Sequence, residues 1–183
     1  TVSGAGVAVH ERDIPVTNVG AYIACSSARI VDDGTGGTTG NGDGRMDAGE
    51  TVAVWMTFRD VGTGGAMKCT ATLSNGPDGI TILDGTANVG NVPSGGIKAA
   101  TEPFLLYVAP TVADGTLANF AVLVVAQTGG SWTSEWNSVI YAPELAATAL
   151  SWSDATYGDG NNVQANGERI TLALRLKNYG VGL

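Results

Sequence analysis

The sequence predicts an all-β protein: an antiparallel β-sandwich followed by the first strands of a second, incomplete copy of the same unit. Three observations carry that reading. Runs rich in Val, Ile, Thr and aromatic residues recur between clusters of Gly, Asn, Asp and Pro, which is how strands and turns are written. No stretch shows the 3.6-residue apolar spacing of an amphipathic helix. One strand-and-loop pattern also occurs twice, 118 residues apart.

In chain order, strands are expected at 21–31, 51–59, 66–74, 80–83, 87–92, 102–108, 117–127, 132–141, 145–152 and 169–177. Within the second of these, Val52, Val54, Met56 and Phe58 alternate with Ala53, Trp55, Thr57 and Arg59, the period of a half-buried strand. Ile170, Leu172, Leu174 and Leu176 alternate in the same way with Thr171, Ala173, Arg175 and Lys177. The turns have mechanisms of their own. Asn75-Gly76-Pro77-Asp78-Gly79, Asp84-Gly85, Pro93-Ser94-Gly95-Gly96 and Asp114-Gly115 combine Gly, which accepts positive φ, with Pro, which presets a negative one.

The repeat sets the domain organisation. Ala48-Gly49-Glu50, the strand after it and Asp60-Val61-Gly62 align with Asn166-Gly167-Glu168, a matching strand and Asn178-Tyr179-Gly180. Each copy is preceded by an acidic Gly/Asn loop and an earlier strand. One unit therefore spans about 120 residues, the size of an immunoglobulin-like sandwich. Residues 1–19 are assigned to an N-terminal arm or linking strand, 20–142 to the sandwich, and 143–183 to the first strands of a second repeat. Two strands cannot bury the Ile170, Leu172, Leu174 and Leu176 row alone, because isolated hairpins are marginal in water. Its cover is expected from the first unit, from residues 1–19, or from another molecule, with strand exchange between subunits as the assembly route. The other expectation is an excerpt of a longer multidomain chain. Thr1 opens the sequence without Met, which fits a processed product or an excerpt, and no signal peptide is legible.

Composition narrows the function. Seventeen acidic residues against nine basic ones give a net charge of −8, so the Lys/Arg surface that phosphate backbones require is lacking and nucleic acid is excluded as a partner. No apolar run reaches the roughly 18 residues of a membrane span. Cys25 and Cys69 lie in expected strands and are read as a disulfide of an exported protein, the alternative being two buried thiols. With His10 the only histidine, they do not make a zinc site. Sparse Lys and abundant Thr, Gly and Ser point to an extracellular or cell-surface setting.

The segment from Thr39 to Glu50 fits the spacing of a twelve-residue calcium loop. Asn41 and Asp43 fall at the third and fifth positions, Gly44 at the sharp turn, and Arg45 offers its carbonyl at the seventh. Asp47 follows at the ninth, and Glu50 stands where a bidentate carboxylate closes the shell. Thr39 replaces the usual first Asp, and Asp32 or Asp33 is the expected substitute, with Asp33 assigned to the site. Structural Ca2+ is expected there; the alternative is a polar turn whose carboxylates cap backbone N–H groups. A second, weaker loop combines Asp154, Asp159, Asn161, Val163 and Glu168, with Ala165 in place of the ninth-position acid.

The run Asn41-Gly42-Asp43-Gly44, then Ala48-Gly49-Glu50, an alternating strand and Asp60-Val61-Gly62 resembles the immunoglobulin-like repeats of large secreted bacterial surface proteins. Those repeats occur beside gingipain-like and subtilisin-like peptidase domains and in adhesin-like proteins. The likeness continues through Thr81-Ile82-Leu83-Asp84-Gly85 and Phe104…Val108 to Trp136…Tyr141, with Ala48 and Asp60 departing from the usual Pro and Asn. It implies a spacer, anchor or assembly module rather than a catalyst.

The residues themselves do not ask for catalysis. His10 sits among charges in the expected arm, and Gly34-Thr35-Gly36-Gly37 lacks the Lys and helix of a phosphate loop. Trp55, Trp132, Trp136 and Tyr141 could form an aromatic platform for glycans; Trp132 and Trp136, four apart in a strand, face one side, which suits a core row better. The expected function is a non-catalytic extracellular structural module: a subunit of a fibre or surface layer joined by strand complementation to other copies of itself or to adjacent domains of a longer chain. The alternatives are an accessory domain of a secreted peptidase or adhesin, and a carbohydrate-binding module.

Overall fold

Period-two apolar patterns place most strands of this chain in two facing sheets. The structure, a computed structural model, describes residues 20–182. The expected N-terminal arm, with His10, lies outside the described residues. The described residues form twelve strands: β1 (Ile23–Val31), β2 (Met46–Asp47), β3 (Thr51–Asp60), β4 (Ala66–Ser74), β5 (Ile80–Asp84), β6 (Thr86–Val92), β7 (Ile97–Ala99), β8 (Phe104–Val108), β9 (Leu117–Ala126), β10 (Ser131–Tyr141), β11 (Leu145–Ser153) and β12 (Thr171–Asn178). One sheet runs β1-β3-β8-β5, with β7 also paired to β3; the other runs β2-β10-β9-β4-β6.

Alternation decides what each strand buries. Val52, Val54, Met56 and Phe58 of β3 point inward at 0–1% exposure and meet Phe120, Val122 and Val124 of β9 across a common core. Each fully buried apolar side chain of this size contributes roughly 1.5–3 kcal/mol through water release. The protein is all-β, with its core between two sheets.

Two short strands, β2 and β7, escape a sequence reading because two or three residues show no period. β2 also departs from the antiparallel expectation: it pairs parallel with the end of β10, Met46 opposite Ile140 and Asp47 opposite Tyr141. Ala48 N–H extends the contact to the Tyr141 carbonyl at 2.8 Å. The acidic loop is thereby fastened to the second sheet.

The expected disulfide is not present. Cys25 and Cys69 are free thiols, the first half-buried and the second buried. Cys25 N–H donates to Ser134 Oγ of β10, so β1 lies beside β10 there. Ser134 pairs with Val122 and Val122 with Leu73, which places Cys69 across two strand spacings and four residues along β4. Those offsets are about 10 Å and about 13 Å, beyond the roughly 7 Å Cα separation that a disulfide spans. Burial raises the pKa of both thiols; for Cys25 a hydrogen bond to the Ser27 carbonyl partly opposes it.

β11 and β12 form a third, two-stranded sheet of their own. Its pairing repeats that of β1 and β3. Ala147 faces Leu176, Leu150 faces Leu174 and Trp152 faces Leu172, where the first copy has Cys25 with Phe58, Ala28 with Met56 and Ile30 with Val54. Even the bulge recurs, between Cys25 and Ser27 and between Ala147 and Ala149.

Candidate functional site

The two acidic loops are built on one template. In the first, Asn41 N–H donates to Glu50 Oε1 (3.1 Å), Asp43 N–H to Asn41 Oδ1 (2.9 Å) and Arg45 N–H to Asp43 Oδ1 (2.9 Å). In the second, Asp159 N–H donates to Glu168 Oε1 (2.9 Å), Asn161 N–H to Asp159 Oδ1 (3.1 Å) and Val163 N–H to Asn161 Oδ1 (2.6 Å). The turn residue is Gly44 at φ +78° in one and Asn162 at φ +60° in the other, the left-handed conformation that Gly and Asn tolerate best. The loops differ by four residues between Asp32 and Asn41, so Asp32 corresponds to Asp154 at an offset of 122 rather than 118.

That shift changes what each buried aspartate does. Asp32, 1% exposed, is consumed as a backbone cap: Oδ2 accepts from Gly42 and Asp43 N–H at 2.9 and 3.2 Å, and Oδ1 from Gly44 N–H at 3.0 Å. Asp154 is fully buried, but only Oδ2 is used, by Asn162 N–H at 2.9 Å; Oδ1 has no hydrogen-bond partner. Oxygens of Asp154, Asp159 and Glu168 lie within 4.8 Å of one another, a spacing fit for one cation. A buried carboxylate oxygen without a partner is costly, and a hard cation is the ligand that satisfies it.

The first loop holds a different pair of unsatisfied oxygens, Asp47 Oδ1 and Glu50 Oε2. Asn41 links the two residues, its Nδ2 donating to Asp47 Oδ2 at 2.9 Å while its N–H reaches Glu50. Burial and the Asp43 charge push the Asp47 carboxyl above its ordinary pKa against the Asn41 amide. Burial raises Glu50 too, against the opposing Asn41 N–H, with the charges of Asp47 and Asp32 adding to the rise.

Other expected ligands are engaged elsewhere. Asp33 turns to Thr35, accepting from its hydroxyl at 2.7 Å and its N–H at 3.1 Å, which holds its carboxyl below the usual range. Thr39 Oγ1 accepts from Thr51 N–H at 3.0 Å. Asp43 Oδ2 lies 3.8 Å from Arg45 Nε, and Arg45 stacks over the Tyr141 ring at 5.0 Å. The strand ending Ile30-Val31-Asp32 against Trp152-Ser153-Asp154 was the available signal that Asp32, not Asp33, is the loop's inner acid.

The expected assembly row is open. Leu172, Leu174 and Leu176 are 61%, 56% and 54% exposed, whereas their counterparts Val54, Met56 and Phe58 are buried. Ile170 is half-buried. Leu150 and Trp152 stand beside them on the same face, also exposed. The first sandwich does not supply the cover.

The aromatic platform is largely spent on packing. Trp132 and Trp136 lie against the core, and Trp136 stacks on Phe120 with centroids 5.1 Å apart. Trp55 and Tyr141 are half-buried. No helix among the described residues is long and apolar enough to cross a membrane. No protein-family model matches the chain, and no curated protein matches it in sequence.

Proposed function

We propose that this chain is a non-catalytic extracellular structural module, a subunit of a fibre or surface layer that joins other copies by strand complementation and is stabilised by calcium. One observation carries the reading: β11 and β12 reproduce the core-facing pattern of β1 and β3 while their leucines stay more than half exposed. In the first unit that face is buried in the core between the two sheets. A contiguous apolar face of this kind is the ordinary mark of a docking surface. Its complement is a strand set with alternating apolar residues, supplied by a second copy or by an adjacent domain. Calcium is the cation favoured by the all-oxygen donors of both loops. The extracellular setting is supported by the composition and by the resemblance to secreted repeats.

Sedimentation of the whole chain at rising concentration tests the reading. The wild-type chain is expected to associate, and Leu172→Lys with Leu174→Lys to stay monomeric without loss of the sandwich. A wild-type chain that remains monomeric throughout removes the assembly reading and leaves a spacer or anchor domain of a secreted peptidase or adhesin.

A further inference from the structure

The first acidic loop is held by the sandwich as well as by itself. Thr39 and Thr51 exchange backbone hydrogen bonds at 2.8 and 3.0 Å, Gly49 N–H donates to the Val108 carbonyl at 2.9 Å, and β2 pairs with β10. The second loop has no such anchors among the described residues. Its hydrogen bonds are internal: Gly158 N–H to the Asp154 carbonyl, Asp159 N–H to Glu168 Oε1, Ala165 N–H to Glu168 Oε2 and Asn162 N–H to Asp154 Oδ2. The opposite end of the strand pair is locked by Asn178, whose Oδ1 accepts from Glu144 and Gly180 N–H at 2.8 and 3.0 Å while Nδ2 donates to the Gly182 carbonyl at 3.0 Å. One end of this pair is therefore pinned by neutral hydrogen bonds. The other is closed by three carboxylates within 4.8 Å, one of them fully buried with an unpartnered oxygen.

We infer that a hard divalent cation held by Asp154, Asp159 and Glu168 switches the β11–β12 pair into the ordered form that presents its apolar face, making self-association cation-dependent. The inference rests on the assembly reading and adds its control. Without the ion, three like charges at the mouth of a hairpin that is marginal by itself oppose its closure. With the ion bound, the same oxygens become ligands, and Asp154 Oδ1 gains the partner it lacks. An ion at about a hundred times its dissociation constant multiplies the ordered-to-unordered ratio about a hundredfold. The first loop does not act this way, because β2, Thr39 and Gly49 hold it to the sandwich with or without an ion.

The test is sedimentation velocity on the full chain in calcium chloride, in magnesium chloride and in EGTA, beside Asp154→Asn, Asp159→Asn and, as a control in the exposed turn between β4 and β5, Asp78→Asn. Either cation is expected to tighten wild-type association at least about tenfold over EGTA. Asp154→Asn and Asp159→Asn should abolish that response, while Asp78→Asn keeps it. Asp159 is exposed, so its variant serves if replacing the buried Asp154 disturbs folding; near-ultraviolet circular dichroism of the sandwich tryptophans reports that. Equal association in all three media, or a cation response that survives both loop variants, overturns the switch. Absence of association in every medium overturns the assembly reading instead.

Discussion

Asp60 shows how a single buried carboxylate ties three segments together. It is 1% exposed; Oδ1 accepts from Tyr22 and Gly62 N–H at 2.8 and 2.9 Å, and Oδ2 from Gly95 N–H at 3.1 Å. Burial alone would raise its pKa, but these three donors outweigh burial and lower it. The native state therefore holds the ionised form better than the unfolded chain does. The stabilisation is complete above the unfolded carboxylate pKa near 4 and is lost as pH falls through the lower native value. Asp60→Ala should destabilise the protein by about 3 kcal/mol in urea titrations near neutral pH, since it strands three donors. Asp60→Asn should cost less and flatten the acid limb of the stability profile. Asn178 already does the same work in the second copy, with one oxygen accepting from Glu144 and Gly180. Gly62 completes the corner: a Cβ there would strike the Gly20 carbonyl and approach Tyr22 N at 2.7 Å, so Gly62→Ala should cost roughly 1–3 kcal/mol.

At the scale of elements, β3 and β12 form a matched pair in which only the environment differs. Met56 and Leu174 occupy equivalent registers, opposite Ala28 and Leu150, yet Met56 is 1% exposed and Leu174 56%. Met56→Ala should cost 2–5 kcal/mol in urea unfolding, roughly what cavities in packed cores cost. Leu174→Ala should change the monomer's stability by no more than about 0.5 kcal/mol and show itself in association. The strands of both copies were legible because an eight- to ten-residue alternation cannot be satisfied by any other backbone. β2 and β7 were not legible, being too short to show a period. The loops were half legible: spacing located Asn41, Asp47 and Glu50, but which acid points inward depends on where a strand ends, and Asp32 rather than Asp33 takes that place.

For the whole molecule, the proposed calcium sites would couple ion binding to stability. Calcium at about a hundred times its dissociation constant should stabilise the native state by about 2.7 kcal/mol per site, a rise of about 5–10 °C in melting temperature that EGTA reverses. In EGTA, Asp47→Asn should melt higher than wild type, because it removes a charge that burial and Asp43 already disfavour, and it should weaken the first loop's response to calcium. Differential scanning calorimetry checks both. An unchanged melting temperature on chelation would remove the ion from the stability argument.

The amino-acid sequence alone determined the longer strands, the turns, the repeat and the place of the acidic loops, because each follows from residue spacing along the chain. Only the tertiary structure decided how distant segments meet. It put Cys25 and Cys69 too far apart to bond, because β9 runs between β10 and β4. It turned Asp32 into a backbone cap and left Asp154 with a free oxygen, because four residues separate the two loop lengths. It sealed Met56 and exposed Leu174, because burial belongs to whichever sheet lies opposite, and local pattern does not encode that neighbour.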